Sequence, residues 1–412
     1  MFKWLKTLKA SLSSDKWQRI AEALTAGSSA ISTAGKIVNV ETALRLSAAW
    51  ACIRVTSQAI AALPIDVYET KSDGSKVKKN DTREADILRL SPNASQTGIE
   101  FWEALIAWEL AIGNSYAEII RPNRNLIALE VLSPAAITPT RLADRSLVYR
   151  TTAQDGQARD LKPEQVMHLK FFDTGNDLGL SPIKYGANTF GAAAAADEAT
   201  AKLFANGVMS NVVLTSETTL KEGQRELLRQ AIEKFAGSSK AWKMMILEAG
   251  LKMEKLSMNP EDAQMLETRK FNIEDICRWY GTPPIIIGHA GQGQTMWGSG
   301  VEQLIIAWMV LGLNPLMRKI EAKINKQIFN GTRLTAEFNR EGLLQIDTTA
   351  KASFLSSMTQ NGLMTRNEGR AKLNMPKSNQ IGADDLTVQT ALTTLENLLS
   401  LSGGGNSNTR GN

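Results

Sequence analysis

The stretch "NPEDAQMLETRKFNIEDICRWYGTPPIIIG" covers residues 259–288, and "HAGQGQTMWGSG" runs on from it to residue 300. The first reads as a long helix. Glu261, Asp262, Glu267, Glu274 and Asp275 alternate with Arg269, Lys270 and Arg278 at helical spacing, the pattern of a solvated or intersubunit face. Gly281 and Pro283-Pro284 close it. "VEQLIIAWMVLGLNPLMRKIEAKINKQIF" then predicts a second long helix over 301–329, which Pro315 should kink or break. Between the two lies a glycine- and glutamine-rich stretch with almost no charge and one tryptophan. That loop is the feature the fold has to explain.

Upstream, "SPIKYGANTFGAAAAADEATAKLFANG" (181–207) predicts one helix, with a Ser181-Pro182 start signal, small residues throughout and Gly207 as its end. Small residues let neighbouring helices approach closely. "NVVLTSE" reads as a strand, "TLKEGQRELLRQAIEKFAG" as a short amphipathic helix, and "WKMMILEAG" and "LKMEKLS" as strands joined at Ala249-Gly250. Residues 208–258 are thus an α/β insert with one helix entering and one leaving, a knob on a stalk.

The first 178 residues read as α+β. Residues 42–62 predict one helix with Leu44, Leu46, Trp50, Ile53 and Ile60 on a common face, ended by Pro64. A strand, a polar hairpin around Asp73-Gly74, and a helix from Thr97 to Ile112 come next. "SYAEIIRP", "LIALEVLSP", "ITPTRL", "LVYRTTA" and "QVMHLKFF" are strand-like pieces. Downstream, "RLTAEFN" is a strand, and "TTAKASFLSSMTQNG" and "TRNEGRAKLNM" are helical. The tail "SGGGNSNTRGN" is low in complexity.

The chain has 412 residues, 43% apolar and 22% charged, with a net charge of +5. That length suggests two or more subdomains. The charge is too mild for a large nucleic-acid clamp. Much of the excess lies at Lys3, Lys6, Lys9, Lys16, Arg19 and Lys36, against Asp15 and Glu22, and is read as a basic arm that docks on a neighbour. No stretch is read as reaching the roughly 18 apolar residues of a membrane span. Cys52 and Cys277 read as small buried hydrophobes rather than a disulfide, consistent with a reducing cytoplasm.

Catalytic signatures are missing. "GHAGQGQTMWGSG" lacks the lysine of a phosphate loop, and "GQGQTM" places methionine where a dinucleotide fingerprint needs its third glycine. Two histidines, His168 and His289, with two cysteines far apart in sequence, give weak support for zinc. No G-x-S-x-G elbow occurs. No cofactor, no metal and no catalytic residue is expected. Trp279-Tyr280 reads as core.

Several motifs in one order then give a resemblance. "NPEDAQMLETRKFNIEDICRWYGTPPIIIG" is similar to a P-x-D-A-Q-x-x-E-x-R helix that ends at an aromatic residue and Pro-Pro in the portal proteins of long-tailed double-stranded-DNA phages of the Hong Kong ninety-seven type. "AAWACIRVTSQAIAALPIDVYE", "FWEALIAWELAIGNSYAEIIR", "GLSPI…LFANG" and "GLMTRNEGRAKLNM" match that family as well, from about Thr42 to Lys377. Gly300 departs from the asparagine that members often carry before Val-Glu.

The resemblance implies a portal fold: a basic arm (1–40), an α+β wing (41–178), a two-helix stem (179–207 and 259–282), a small α/β clip (208–258), a tunnel loop (283–301), a long kinked helix returning to the wing (302–347), a helical crown (348–400) and a tail (401–412). It implies a structural, non-enzymatic ring, usually of about twelve subunits, at one capsid vertex of a virion assembled in the host cytoplasm. Expected partners are non-specific double-stranded DNA in the channel, a terminase motor, a head–tail adaptor, and the major capsid and scaffold proteins, with no membrane. Gln292, Gln294, Thr295, Met296 and Trp297 would face DNA. Pro283, Pro284, Gly291, Gly293, Gly298 and Gly300 would give the loop a stiff base and a permissive tip. Ala192, Ala194, Ala195, Glu267 and Arg269 would pack the stem between copies. An enzyme would need a metal or phosphate motif, and a monomeric DNA-binding module a concentrated basic patch. An adaptor or minor capsid protein of the head–tail junction is the nearest alternative.

Overall fold

The computed structural model describes residues 29–122, 125–152, 157–206, 212–216, 222–223, 225–226, 251–255, 260–289, 299–340, 348–373 and 375–387. The chain divides into two units, Met1–Phe338 and Asn339–Asn412.

The first unit opens with a short antiparallel hairpin, β1 (Ala30–Ile31) and β2 (Ile37–Val38). Helix α1 (Val40–Leu44) starts from a capping box between Asn39 and Thr42. Helix α2 (Ser47–Ala61) comes next. The single helix expected over 42–62 is therefore two, because the backbone is extended at Leu46 (ψ 120). The restart resets the face. Ala48, Ala49, Cys52, Ile53, Thr56, Ser57 and Ile60 point inward, and Trp50 is 54% exposed rather than in the core. A face of small residues lets another helix come close. That helix is α4 (Gly98–Ile112), which begins at the Thr97–Glu100 capping box and ends at left-handed Gly113, with Phe101, Leu105, Ile106 and Leu110 fully buried. Helix α3 (Arg83–Arg89) lies beside it and accepts the indole N–H of Trp102 at the Leu88 carbonyl, 2.9 Å away.

Three antiparallel three-stranded sheets complete this part. One pairs β3 (Ile65–Thr70) with β4 (Lys76–Lys78) and with β13 (Leu334–Phe338). A second has the order β10–β5–β6, from β5 (Asn114–Ile120), β6 (Ala128–Leu132) and β10 (Val166–Lys170). The third joins β7 (Ile137–Arg141), β8 (Leu147–Thr152) and β9 (Ala158–Leu161). β9, whose "ARDL" is half charged, is not among the strands read from the sequence. The last strand returns from far along the chain. Helix α9 (Asn314–Gln327) holds it: the Glu321 carboxylate accepts from the Phe338 N–H at 2.7 Å, and the Asn325 amide bonds both polar groups of Ala336.

His168 is buried on β10. Its Nε2 donates to the Asn114 side-chain carbonyl oxygen at 3.0 Å, its Nδ1 accepts from the Tyr149 hydroxyl at 3.1 Å, and its ring stacks on Tyr116. Burial keeps it neutral, down to about 3, with Lys170 and Lys323 adding to the shift. This is a satisfied core imidazole.

In the second unit, α10 (Thr348–Gln360) and α11 (Arg366–Lys372) are helical as read, α11 from a Thr365–Glu368 capping box. Asn367 is buried there and ties α11 to residues 378–384 through Ser378 and Asp384.

Glu109, on α4, is 1% exposed, and neither carboxylate oxygen has a hydrogen-bond partner among the described residues. Burial pushes it up to about 7 against the opposing pull of Lys319. A folded-state value above the unfolded one gives stability that is full below about pH 4.5 and is lost as pH rises through about 7. Glu109→Gln removes that loss. Its stability relative to the parent should rise by about 2–3 kcal/mol between pH 4 and pH 8, measured by urea unfolding; a parallel pH profile would contradict this.

Candidate functional site

The charge-striped stretch 259–288 forms helix α7 (Pro260–Tyr280), and the alanine-rich stretch forms α5 (Pro182–Tyr185) and α6 (Ala187–Asn206). Ser181 caps α5, its side chain accepting from Lys184 N–H. The expected single helix is interrupted at Gly186, where a Cβ would lie 2.8 Å from the Trp279 ring. The indole of Trp279 fills that space from α7 and donates to Thr189 Oγ1 at 3.3 Å. Trp279 itself is exposed (38%), not core as expected, whereas Tyr280 is buried edge-on to Phe190.

Helices α6 and α7 pack along each other. Arg269 on α7 meets Asp197 on α6 at 3.0 Å, so this guanidinium links the two helices within one chain. Ala192 and Glu267 are exposed, and Ala194 and Ala195 are half-buried. The β1–β2 hairpin, which the sequence placed in the basic arm, seats on α6. A Cβ at Gly191 would lie 2.1 Å from Ser32 Oγ, the Thr33 N–H donates to the Asn188 side-chain carbonyl oxygen at 3.0 Å, and Lys36 pairs with Glu198. Beyond the helices, β11 (Val212–Ser216) and β12 (Leu251–Lys255) pair antiparallel. The helix and the other strand expected between them, and Gly207, lie outside the described residues apart from 222–223 and 225–226, which are helical.

At the far end of α7 the chain turns at Gly281 (φ +64). Thr282 is buried, its hydroxyl 3.3 Å from that of Thr56 on α2. Pro284–Ile287 make one 3₁₀ turn against α2, with Pro283 just before it. Cys277 and Cys52, 225 positions apart in sequence, meet with their sulfurs 3.7 Å apart, both buried and free. A cavity of about 420 Å³ opens beside them, lined by Glu274, Cys277, Arg278, Gly281, Thr282, Pro283 and Pro284. His289 Nε2 stands 3.9 Å from Glu274.

Gln292, Gln294, Thr295, Met296, Trp297, Gly291, Gly293 and Gly298 lie outside the described residues. Gly300 sits in the first turn of α8 (Ser299–Trp308). Pro315 neither breaks nor ends the helical path. A π turn, Met309–Leu313, connects α8 to α9, and Pro315 falls in the first turn of α9. The wider turn accommodates a ring that has no N–H to return to the preceding carbonyl. A Cβ at Gly312 would lie 3.3 Å from the Gly281 carbonyl oxygen, so the π turn passes close to the end of α7.

Gly300–Gln327 is the one helix among the described residues long and apolar enough to cross a membrane by length and composition, with 22% of its most apolar window buried. This corrects the expectation that no stretch is apolar enough: 303–317 carries no charge, and Gln303, Asn314 and Pro315 are what dilute its apolar run. Leu304, Ile306, Val310 and Leu311 on it are exposed. Among the described residues no group of three or more His, Cys, Asp and Glu side chains could hold a metal ion.

A family model described as "Phage portal protein" matches residues 47–374. The portal protein of Enterobacteria phage HK97 is 33% identical over 344 residues, spanning 82% of this chain and 81% of that protein. Among solved structures, a chain from the virion of a native gene transfer agent (GTA) particle aligns with a TM-score of 0.58 at 22% identity, covering 82% of this chain and 93% of that one. A chain from the neck of a native GTA particle, computed with C12 symmetry, aligns with a TM-score of 0.56 at 24% identity, covering 82% and 92%. These two structures bear on the fold, a mixture of helices and antiparallel sheets.

Proposed function

The chain belongs to the phage portal protein family, and from that premise we propose that its copies close into a ring at one capsid vertex, with a channel that admits the genome during packaging and releases it at infection. The observation that carries the reading is the family match over residues 47–374, which takes in both long helices and the uncharged loop between α7 and α8. We take twelve copies, after the symmetry under which the related neck was computed.

In this reading α6 and α7 are the stem, 208–258 the clip that meets a terminase and later an adaptor, 348–400 the crown, and the sheets the wing. The ring is a structural part of the virion, and a separate motor supplies the energy. The exposed Ala192 and Glu267, with Ala194 and Ala195, face the neighbouring stem. The exposed apolar side of α8 is a surface that a neighbouring copy covers, which accounts for its hydropathy without a membrane.

The loop, 290–298, lines the channel. Each lysine–phosphate contact adds sequence-independent affinity that must be broken before the duplex advances. A ring repeats every contact in each subunit, so even weak contacts sum. A loop of Gln292, Gln294, Thr295, Met296 and Trp297 touches the duplex without gripping it, while Pro283 and Pro284 stiffen its base.

Three measurements test this. Native mass spectrometry with negative-stain images should show a closed ring of about a dozen chains; a compact dimer with no ring at any concentration would overturn the reading. Gln294→Lys should slow packaging, more so at low salt, and a packaging rate equal to the parent's would remove the loop from the channel. Ala192→Leu should leave the subunit's melting temperature within a few degrees of the parent's, since the side chain is exposed, and lower the ring fraction. Unaltered rings would place Ala192 away from the stem contact.

A further inference from the structure

Cys52 and Cys277 belong to none of the roles above, yet they are the two cysteines of the chain and the fold brings them together. Cys52 lies on α2, in the helical layer. Cys277 lies on the last turn of α7, just before the loop base. We propose that they form a modification site, a thiol pair that a peroxide converts to a disulfide, fastening the end of α7 to α2.

The sulfurs stand 3.7 Å apart, which leaves about 1.7 Å to close to a bond of about 2.0 Å. Both thiols are shut off from bulk solvent, but Cys277 lines the cavity of about 420 Å³. That space is more than ten times the roughly 30 Å³ that one water occupies in the liquid, so a small oxidant fits. The two cysteines are not equivalent. A hydrogen bond links the two thiols and holds Cys277 below the ordinary thiol range; Arg278 adds to this, while burial and Glu274 oppose it. The same hydrogen bond, with burial, pushes Cys52 up. Cys277, which lines the cavity while Cys52 does not, is the nucleophile and Cys52 the resolving thiol.

The chemistry balances. The Cys277 thiolate attacks one peroxide oxygen, the O–O bond breaks, and hydroxide leaves and takes up a proton as water. The sulfur is now a sulfenic acid. The Cys52 sulfur attacks it, the S–O bond breaks, and a second water leaves with the Cys52 proton. Two thiols lose two electrons and two protons, and one peroxide becomes two waters. The timing of the step rests on the portal reading. A reducing cytoplasm keeps both thiols during assembly, and a released particle meets oxidants. The bond would then fix the base of the loop after packaging is complete.

The test uses the full chain purified under reductant, exposed to hydrogen peroxide, quenched, and counted for thiols after denaturation. Both thiols should disappear, the intact mass should fall by two hydrogens, the chain should stay unlinked to other chains, and reductant should restore both thiols. Persisting thiols, oxygen adducts on one cysteine alone, or chains joined to each other would overturn the proposal. In Cys52→Ser, dimedone should trap Cys277 as a sulfenic acid, and in Cys277→Ser the remaining thiol should resist peroxide; the reverse pattern would overturn the assignment of roles. If a variant fails to fold, the parent measurement decides alone. Alkylation before opening should find the disulfide in released particles and thiols in intracellular assembly intermediates. Thiols in released particles would overturn the timing, while ring images of the same samples test the portal reading separately.

Discussion

The buried face of α2 is the contact on which the rest depends. Ala49, Cys52, Thr56 and Ile60 present small or branched surfaces, and α4, α7 and the Pro284–Ile287 turn all pack against this one helix. Close-packed helices transmit position rather than absorb it. The end of α7, and hence the place where the chain leaves for the loop, is set by contact with α2 through Cys277 and Thr282. The π turn passes close by, since a Cβ at Gly312 would lie 3.3 Å from the Gly281 carbonyl oxygen. The segment that leads from α7 towards the loop is thus held against the core at α2.

This arrangement suits a channel better than a binding site. A site that recognises nucleic acid concentrates cation–phosphate contacts and holds its ligand. A passage for a moving duplex needs contact without affinity. The segment between α7 and α8 carries no lysine, arginine, aspartate or glutamate over 290–298. On α7, Arg269 pairs with Asp197 and Arg278 with Asp275. Exposed pairs of this kind add little stability, but the second offsets the charge of Arg278 at the loop end of α7.

Much of the fold was legible because its signals are local. Thr97–Glu100 and Thr365–Glu368 are capping boxes written within four residues, and both helices begin where those residues say. Most strands are short runs set off by Pro, Asn and Asp, and the Asp73-Gly74 turn closes its hairpin. The features that failed to show depend on contacts between distant parts. The break at Leu46 turns Trp50 outward, although the periodicity of 42–62 is helical throughout. The break at Gly186 exists because Trp279, more than ninety positions later, needs the space. The π turn absorbs Pro315, which local rules read as a break. The juxtaposition of Cys52 and Cys277 has no sequence signal, since nothing in a spacing of 225 residues foretells contact. Of the candidate site, the loop's composition and its flanking prolines were readable, and the cavity and thiols at its base were not.

The channel role stands on where the uncharged loop lies in the assembled ring. A side-chain-resolution electron cryomicroscopy map of the ring would measure the distance of every segment from the central axis. Residues 290–298 should make the narrowest point, with α6 and α7 of neighbouring copies packed around it. A map with that loop on the outer rim, or with a lysine- or arginine-lined segment at the constriction, would contradict it.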